Sequence, residues 1–117
     1  GLACGEANTV SWDILRNHAS AFVSCPDWVS ANGTRIYGSP LRGDKQVISG
    51  ESGSVTMGLL HAIMTRPEYK DLKEALKLDE NSEVLLVSTE GDTDPDRYHE
   101  ITWEGLYGTD KEPFADL

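Results

Sequence analysis

Apolar and polar residues divide the chain into alternating segments. Trp12, Ile14 and Leu15 give one apolar side to a helix that Ser11 could cap and that runs to about His18. Ala21-Phe22-Val23 is a short apolar run of the kind that forms a buried strand. Pro26 and Asp27 suit the start of a second helix, with Trp28, Val29, Ile36 and Tyr37 as its inner face. Asn32-Gly33 reads as an interruption of that helix. Residues 38–45 are a loop, and Gln46-Val47-Ile48-Ser49 is a strand ending in Gly50. From Gly50 to about Arg66 runs a helix whose apolar positions Val55, Met57, Leu59, Leu60, Ala62, Ile63 and Met64 cover most of its circumference. Such a helix is buried on more than one side. Pro67 opens a further helix to about Leu78, striped by Tyr69, Leu72, Ala75 and Leu76. Glu83-Val84-Leu85-Leu86-Val87 does not alternate, as expected of a strand covered on both faces. Pro95 and Asp96 open a last helix to about Trp103.

The order strand, helix, strand, helix, helix, strand, helix predicts an α/β fold, a three-layer αβα arrangement around a small parallel sheet. The chain reads as one unit, 1–117, with residues 108–117 a loose polar tail. The all-round apolar helix and the doubly covered strand both call for more protein against them. With the opening Gly1-Leu2-Ala3-Cys4-Gly5, they make the chain read as a piece of a longer polypeptide.

Composition narrows the classes. Apolar residues make up 38% and charged residues 26%, which places the chain among globular rather than disordered sequences. A net charge of −10 argues against nucleic acid and against an anionic membrane surface as partners. The run Val84–Val87 is far short of the roughly 20 apolar residues a membrane span requires. Cys4 and Cys25 are expected to be reduced thiols of a cytoplasmic protein, since two cysteines do not make a disulfide framework.

In open parallel sheets, ligands sit beyond the carboxyl ends of the strands. Two segments leave strands there: Gly50-Glu51-Ser52-Gly53-Ser54 and Ser88-Thr89-Glu90-Gly91-Asp92. Both offer backbone N–H groups, hydroxyls and a carboxylate. The first enters a helix N-terminus, which favours an anion, although Glu51 makes it a poor phosphate cradle. Glu90, Asp92, Asp94 and Asp96 suggest a calcium loop at first sight. Counted from Asp92, the sixth position is Arg97 instead of Gly and the twelfth is Trp103 instead of Glu. Helix capping explains these carboxylates better. His18, His61 and His99 have no ligand partners at suitable spacing, and the serines have no Gly-x-Ser-x-Gly elbow.

Three motifs carry a resemblance: Gly-Leu-Ala-Cys-Gly-Glu-Ala-Asn (1–8), Ile-Ser-Gly-Glu-Ser-Gly (48–53) and Ser-Thr-Glu-Gly-Asp-Thr-Asp-Pro (88–95). Together they resemble the C-terminal part of the diaminopropionate ammonia-lyase family, pyridoxal-phosphate enzymes of fold type II, built like the tryptophan synthase β subunit. The resemblance implies α,β-elimination of 2,3-diaminopropionate to pyruvate and ammonia, by a homodimer. It further implies that Ser88 hydrogen-bonds the pyridine nitrogen of pyridoxal phosphate, with Thr89 as the adjacent alternate, and that Glu51 lies beside the cofactor ring. Cys4 and Gly5 would border the substrate. A neutral hydroxyl does not force the pyridine to stay protonated, which suits elimination over transamination.

The same resemblance puts the Schiff-base lysine and the phosphate loop outside this chain. Lys45, Lys70, Lys73, Lys77 and Lys111 lie in polar loops or on wet helix faces, whereas such a lysine needs a desolvated pocket. The chain alone is therefore expected to be inactive and to depend on the rest of its own polypeptide. Two readings stay open beside this one. One is a threonine- or serine-dehydratase-like lyase; the other is a non-catalytic acidic α/β module that binds a small ligand.

Overall fold

In the computed structural model, residues 5–108 are described. The expectations for Cys4, Lys111 and most of the tail 108–117 fall on residues outside that range. The elements are α1 (Thr9–His18), α2 (Asp27–Gly38), α3 (Glu51–Thr65), a single 3₁₀ turn (Pro67–Tyr69), α4 (Lys70–Ala75) and α5 (Pro95–Thr102).

The expected α/β fold with a small parallel sheet is not what the chain forms: among the described residues there is no strand. Residues 20–26, 45–50 and 83–92 carry no regular hydrogen-bonded structure. The reason is partnership. A non-alternating apolar run can favour extended backbone, but a strand exists only as one member of a hydrogen-bonded ladder. Residues 83–89 make no backbone–backbone hydrogen bond among the described residues, and the 46–50 and 83–90 segments are tied by one such bond, Gly50 N–H to Glu90 O at 3.4 Å. Val84, Leu85 and Val87 are 45%, 89% and 63% exposed, so the double covering expected of this run is absent too.

The core lies between α2 and α3, and it is built from small residues. Val29, Ser30, Ala31, Gly33 and Thr34 are buried on α2; Gly53, Ser54, Gly58, Ala62 and Ile63 are buried on α3. Ser54, Gly58 and Ala62 recur at intervals of one turn and form a shallow groove. Gly33 lies so close to it that a side chain there would run into the Ser54 carbonyl and stand 2.8 Å from the Gly58 nitrogen. A side chain at Gly58 would strike the Val29 carbonyl. The two backbones are thus in contact, which only glycine permits. This corrects two expectations. Asn32-Gly33 does not interrupt α2, because packing against α3 outweighs glycine's weak helix propensity. Trp28, Ile36 and Tyr37 are half-buried at the periphery, where Trp28 carries the Arg66 guanidinium 4.5 Å above its ring.

Helix α5 docks on α2 through Ile101, which is 1% exposed, and through Arg35. The Arg35 guanidinium donates from Nε to the Ile101 carbonyl at 3.0 Å and from Nη2 to the Leu106 carbonyl. The Ile101 carbonyl is an orphan of the last turn of α5 and Leu106 lies in the segment after it, so a cation there satisfies both and complements the helix dipole. Burial lowers the guanidinium pKa from its ordinary value.

Helix α1 touches no other helix and buries no residue. Asn8, not Ser11, caps it, its Oδ1 accepting from the Val10 and Ser11 N–H groups at 3.0 Å each. The helix forecast from Pro67 to Leu78 is shorter: Lys77 adopts a left-handed φ of 57° and ends it after Ala75.

Candidate functional site

The site is assembled where the start of α3 meets residues 88–94. Gly50 caps α3 without a side chain, leaving the first N–H groups to outside acceptors. Glu90 supplies one. Its Oε1 accepts from the Ser52 N–H at 3.2 Å and from the Ser52 hydroxyl. The anion at this helix N-terminus is therefore the protein's own carboxylate.

Behind this contact lies a pair of hydroxyls. Ser49 is fully buried, and its Oγ stands 2.7 Å from Ser88 Oγ. The Ser49 hydroxyl also reaches the Gly50 carbonyl at 3.3 Å, and Ser88 Oγ reaches the Glu90 carbonyl at 3.4 Å. The Ser54 hydroxyl donates to the Ser49 carbonyl at 3.3 Å. Gly53 makes room for the pair: a side chain there would collide with Ser49 Oγ and stand 2.7 Å from Ser88 Oγ. Ser88 itself is exposed, while its hydroxyl turns toward the buried Ser49.

On the other side of the loop is a cavity of about 250 Å³. Thr34, Glu51, Glu90, Asp92, Arg97 and Tyr98 are among the residues that line it. Burial and the nearby Asp92 carboxylate raise the Tyr98 phenol pKa, so it stays a neutral donor. Asp94 caps α5, its Oδ1 accepting from the Arg97 N–H at 3.1 Å, and Pro95 takes the first helical position. This is the capping role inferred for the acidic run. Among the described residues, no group of three or more His, Cys, Asp or Glu is arranged to hold a metal ion, and no helix is long and apolar enough to cross a membrane. Cys25 is half-buried beside a smaller apolar cavity, where desolvation raises its thiol pKa.

Of the residues singled out from sequence, Glu51 lines the main cavity, whereas Ser88 does not line it and is bonded to Ser49. Thr89 is exposed and does not line the cavity. Sequence reading did not single out Ser49, Gly53 or Glu90 as parts of one site. The available signal was their occurrence inside the two motifs 48–53 and 88–95.

The chain matches no family model. It is 50% identical over 107 residues, 92% of its length, to diaminopropionate ammonia-lyase of Escherichia coli strain K12. It is equally similar, over 106 residues, to the enzyme of the same name from Salmonella typhimurium strain LT2. This stretch is homologous to diaminopropionate ammonia-lyase. Crystal structures of the Escherichia coli lyase superpose on it. The complex with D-serine gives a TM-score of 0.86 at 49% identity, covering 92% of this chain and 28% of that one. The complex with an aminoacrylate-PLP azomethine reaction intermediate gives the same score and identity, over 92% and 29%. The chain spans about a quarter of the length of the curated relatives it matches, 27% of the Escherichia coli K12 lyase.

Proposed function

We propose that this chain forms the cofactor ring-nitrogen side of a pyridoxal-phosphate-dependent ammonia-lyase. The full-length enzyme would convert 2,3-diaminopropionate, with uptake of water, to pyruvate and ammonia. The observation that carries this reading is the Ser88 hydroxyl, held by a buried Ser49 in a chain 50% identical over 107 residues to a diaminopropionate ammonia-lyase.

These residues would meet one edge of the cofactor. The hydroxyl is neutral, it belongs to an exposed residue, and Gly53 has no side chain to obstruct it. When bound, the cofactor withdraws electrons from the substrate's α-carbon. Ser88 would hold the ring nitrogen without imposing a proton on it, and Glu51 would stand beside the ring, with Thr89 as the neighbouring hydroxyl. The covalent anchor is assigned to another part of the polypeptide. Lys45, Lys70 and Lys77 are exposed, Lys73 is half-buried, and none of them lines the cavity beside Glu51. The substrate class, a small amino acid, is supported by the D-serine bound to the relative. A cytoplasmic homodimer is the assembly this reading carries with it.

The test is Ser88→Ala in the full-length enzyme. Loss of one hydrogen bond of about 1 kcal/mol should weaken cofactor binding about fivefold, with a changed cofactor absorption spectrum and reduced turnover. Wild-type kinetics together with a wild-type spectrum would reject the assignment of Ser88.

A further inference from the structure

We propose that Ser49 is a positioning residue that sets the polarity of the Ser88 hydroxyl. The proposal rests on the reading of Ser88 given above and deepens it.

Each hydroxyl has one proton and can accept more than one. The 2.7 Å contact between Ser49 Oγ and Ser88 Oγ can form with either as donor. If Ser88 donates inward, the Ser49 proton goes to the Gly50 carbonyl at 3.3 Å, and Ser88 shows only lone pairs to the outside. If Ser49 donates, Ser88 is left with its proton to give. Its acceptor inside the protein is the Glu90 carbonyl at 3.4 Å, a long contact that an outside acceptor can displace. The Ser49 hydroxyl is fully buried, so solvent cannot take its place beside Ser88; a ring-nitrogen acceptor outside selects the arrangement in which Ser49 donates and polarises the Ser88 proton. The second arrangement matches an unprotonated ring nitrogen, the form that a neutral hydroxyl partner tolerates. Gly53 is part of the same device, because any side chain there would break the pair.

The experiment uses the full-length enzyme loaded with pyridoxal phosphate labelled with nitrogen-15 in the ring. Ser49→Ala should move the ring-nitrogen chemical shift toward that of a pyridine without a hydrogen-bond donor. It should also weaken cofactor binding about three- to fivefold, the effect of part of one hydrogen bond. In a Ser88→Ala background, Ser49→Ala should change neither quantity further. Gly53→Ala leaves both hydroxyls in place but separates them, and should reproduce the shift if Ser49→Ala does not fold. A folded Ser49→Ala or Gly53→Ala enzyme with the wild-type ring-nitrogen signal would overturn the proposal. So would a Ser49→Ala effect that persists without the Ser88 hydroxyl. If Ser88→Ala alone changes nothing, the assignment of Ser88 has failed; if Ser88→Ala acts and Ser49→Ala does not, only the positioning role has.

Discussion

Helices α1 and α3 both display apolar residues, yet they lie in opposite environments. Trp12, Ile14 and Leu15 form the apolar side of α1, and they are 48%, 58% and 47% exposed. The buried residues of α3 are Gly53, Ser54, Gly58, Ala62 and Ile63, all small but the last. An amphipathic stripe records that a helix wants a partner, whereas steric complementarity decides how closely one can approach. On α2 and α3 two glycines bring the backbones into contact, whereas on α1 Trp12 has Phe22 beside it, the ring centroids 5.9 Å apart.

This contrast can be broken experimentally. The largest effect belongs to Gly58→Ala: its methyl has nowhere to go except into the Val29 carbonyl, and denaturant titration should register a loss of about 3 kcal/mol. A neutral outcome would mean that the two backbones do not touch. Next comes Arg35→Met, which strands the carbonyls of Ile101 and Leu106. About 2 kcal/mol should be lost, with faster amide exchange in α5. The two cap residues sharpen the comparison further. Asp94→Ala should cost about 1 kcal/mol of global stability because α5 is packed on α2. Asn8→Ala removes an equivalent cap from an unpacked helix, so its effect should appear as faster exchange in α1 with an unchanged unfolding midpoint. Smallest of all, Ile14→Gln on the exposed side of α1 should stay within about 0.5 kcal/mol in the same titration.

Much of the helical skeleton was legible because its signals are local. Pro26-Asp27, Gly50-Glu51 and Asp94-Pro95 mark the starts of α2, α3 and α5 through backbone geometry and dipole interactions within a few residues. What was misread depends on residues distant in sequence. The segment 83–87 has the pattern of a sheet strand, but that pattern cannot reveal whether a ladder partner exists. Asn32-Gly33 has the local signature of a break, because the groove that accepts Gly33 lies on another helix. The site shows the same division. Ser88 and Glu51 stood out through motifs and their places beside presumed strand ends. The bond from Ser88 to Ser49 spans 39 positions and could not be read from either motif alone.

The bare apolar strip at Val84, Leu85 and Val87 has a consequence for handling the polypeptide. Uncapped N–H and C=O groups flanked by aliphatic side chains invite copies to stack on one another. The charge of −10 opposes that stacking by mutual repulsion, over a range of about 10 Å at 0.1 M salt. Ionic strength thus becomes a solubility control: dilute buffer should keep solutions clear, and concentrated salt should turn them cloudy.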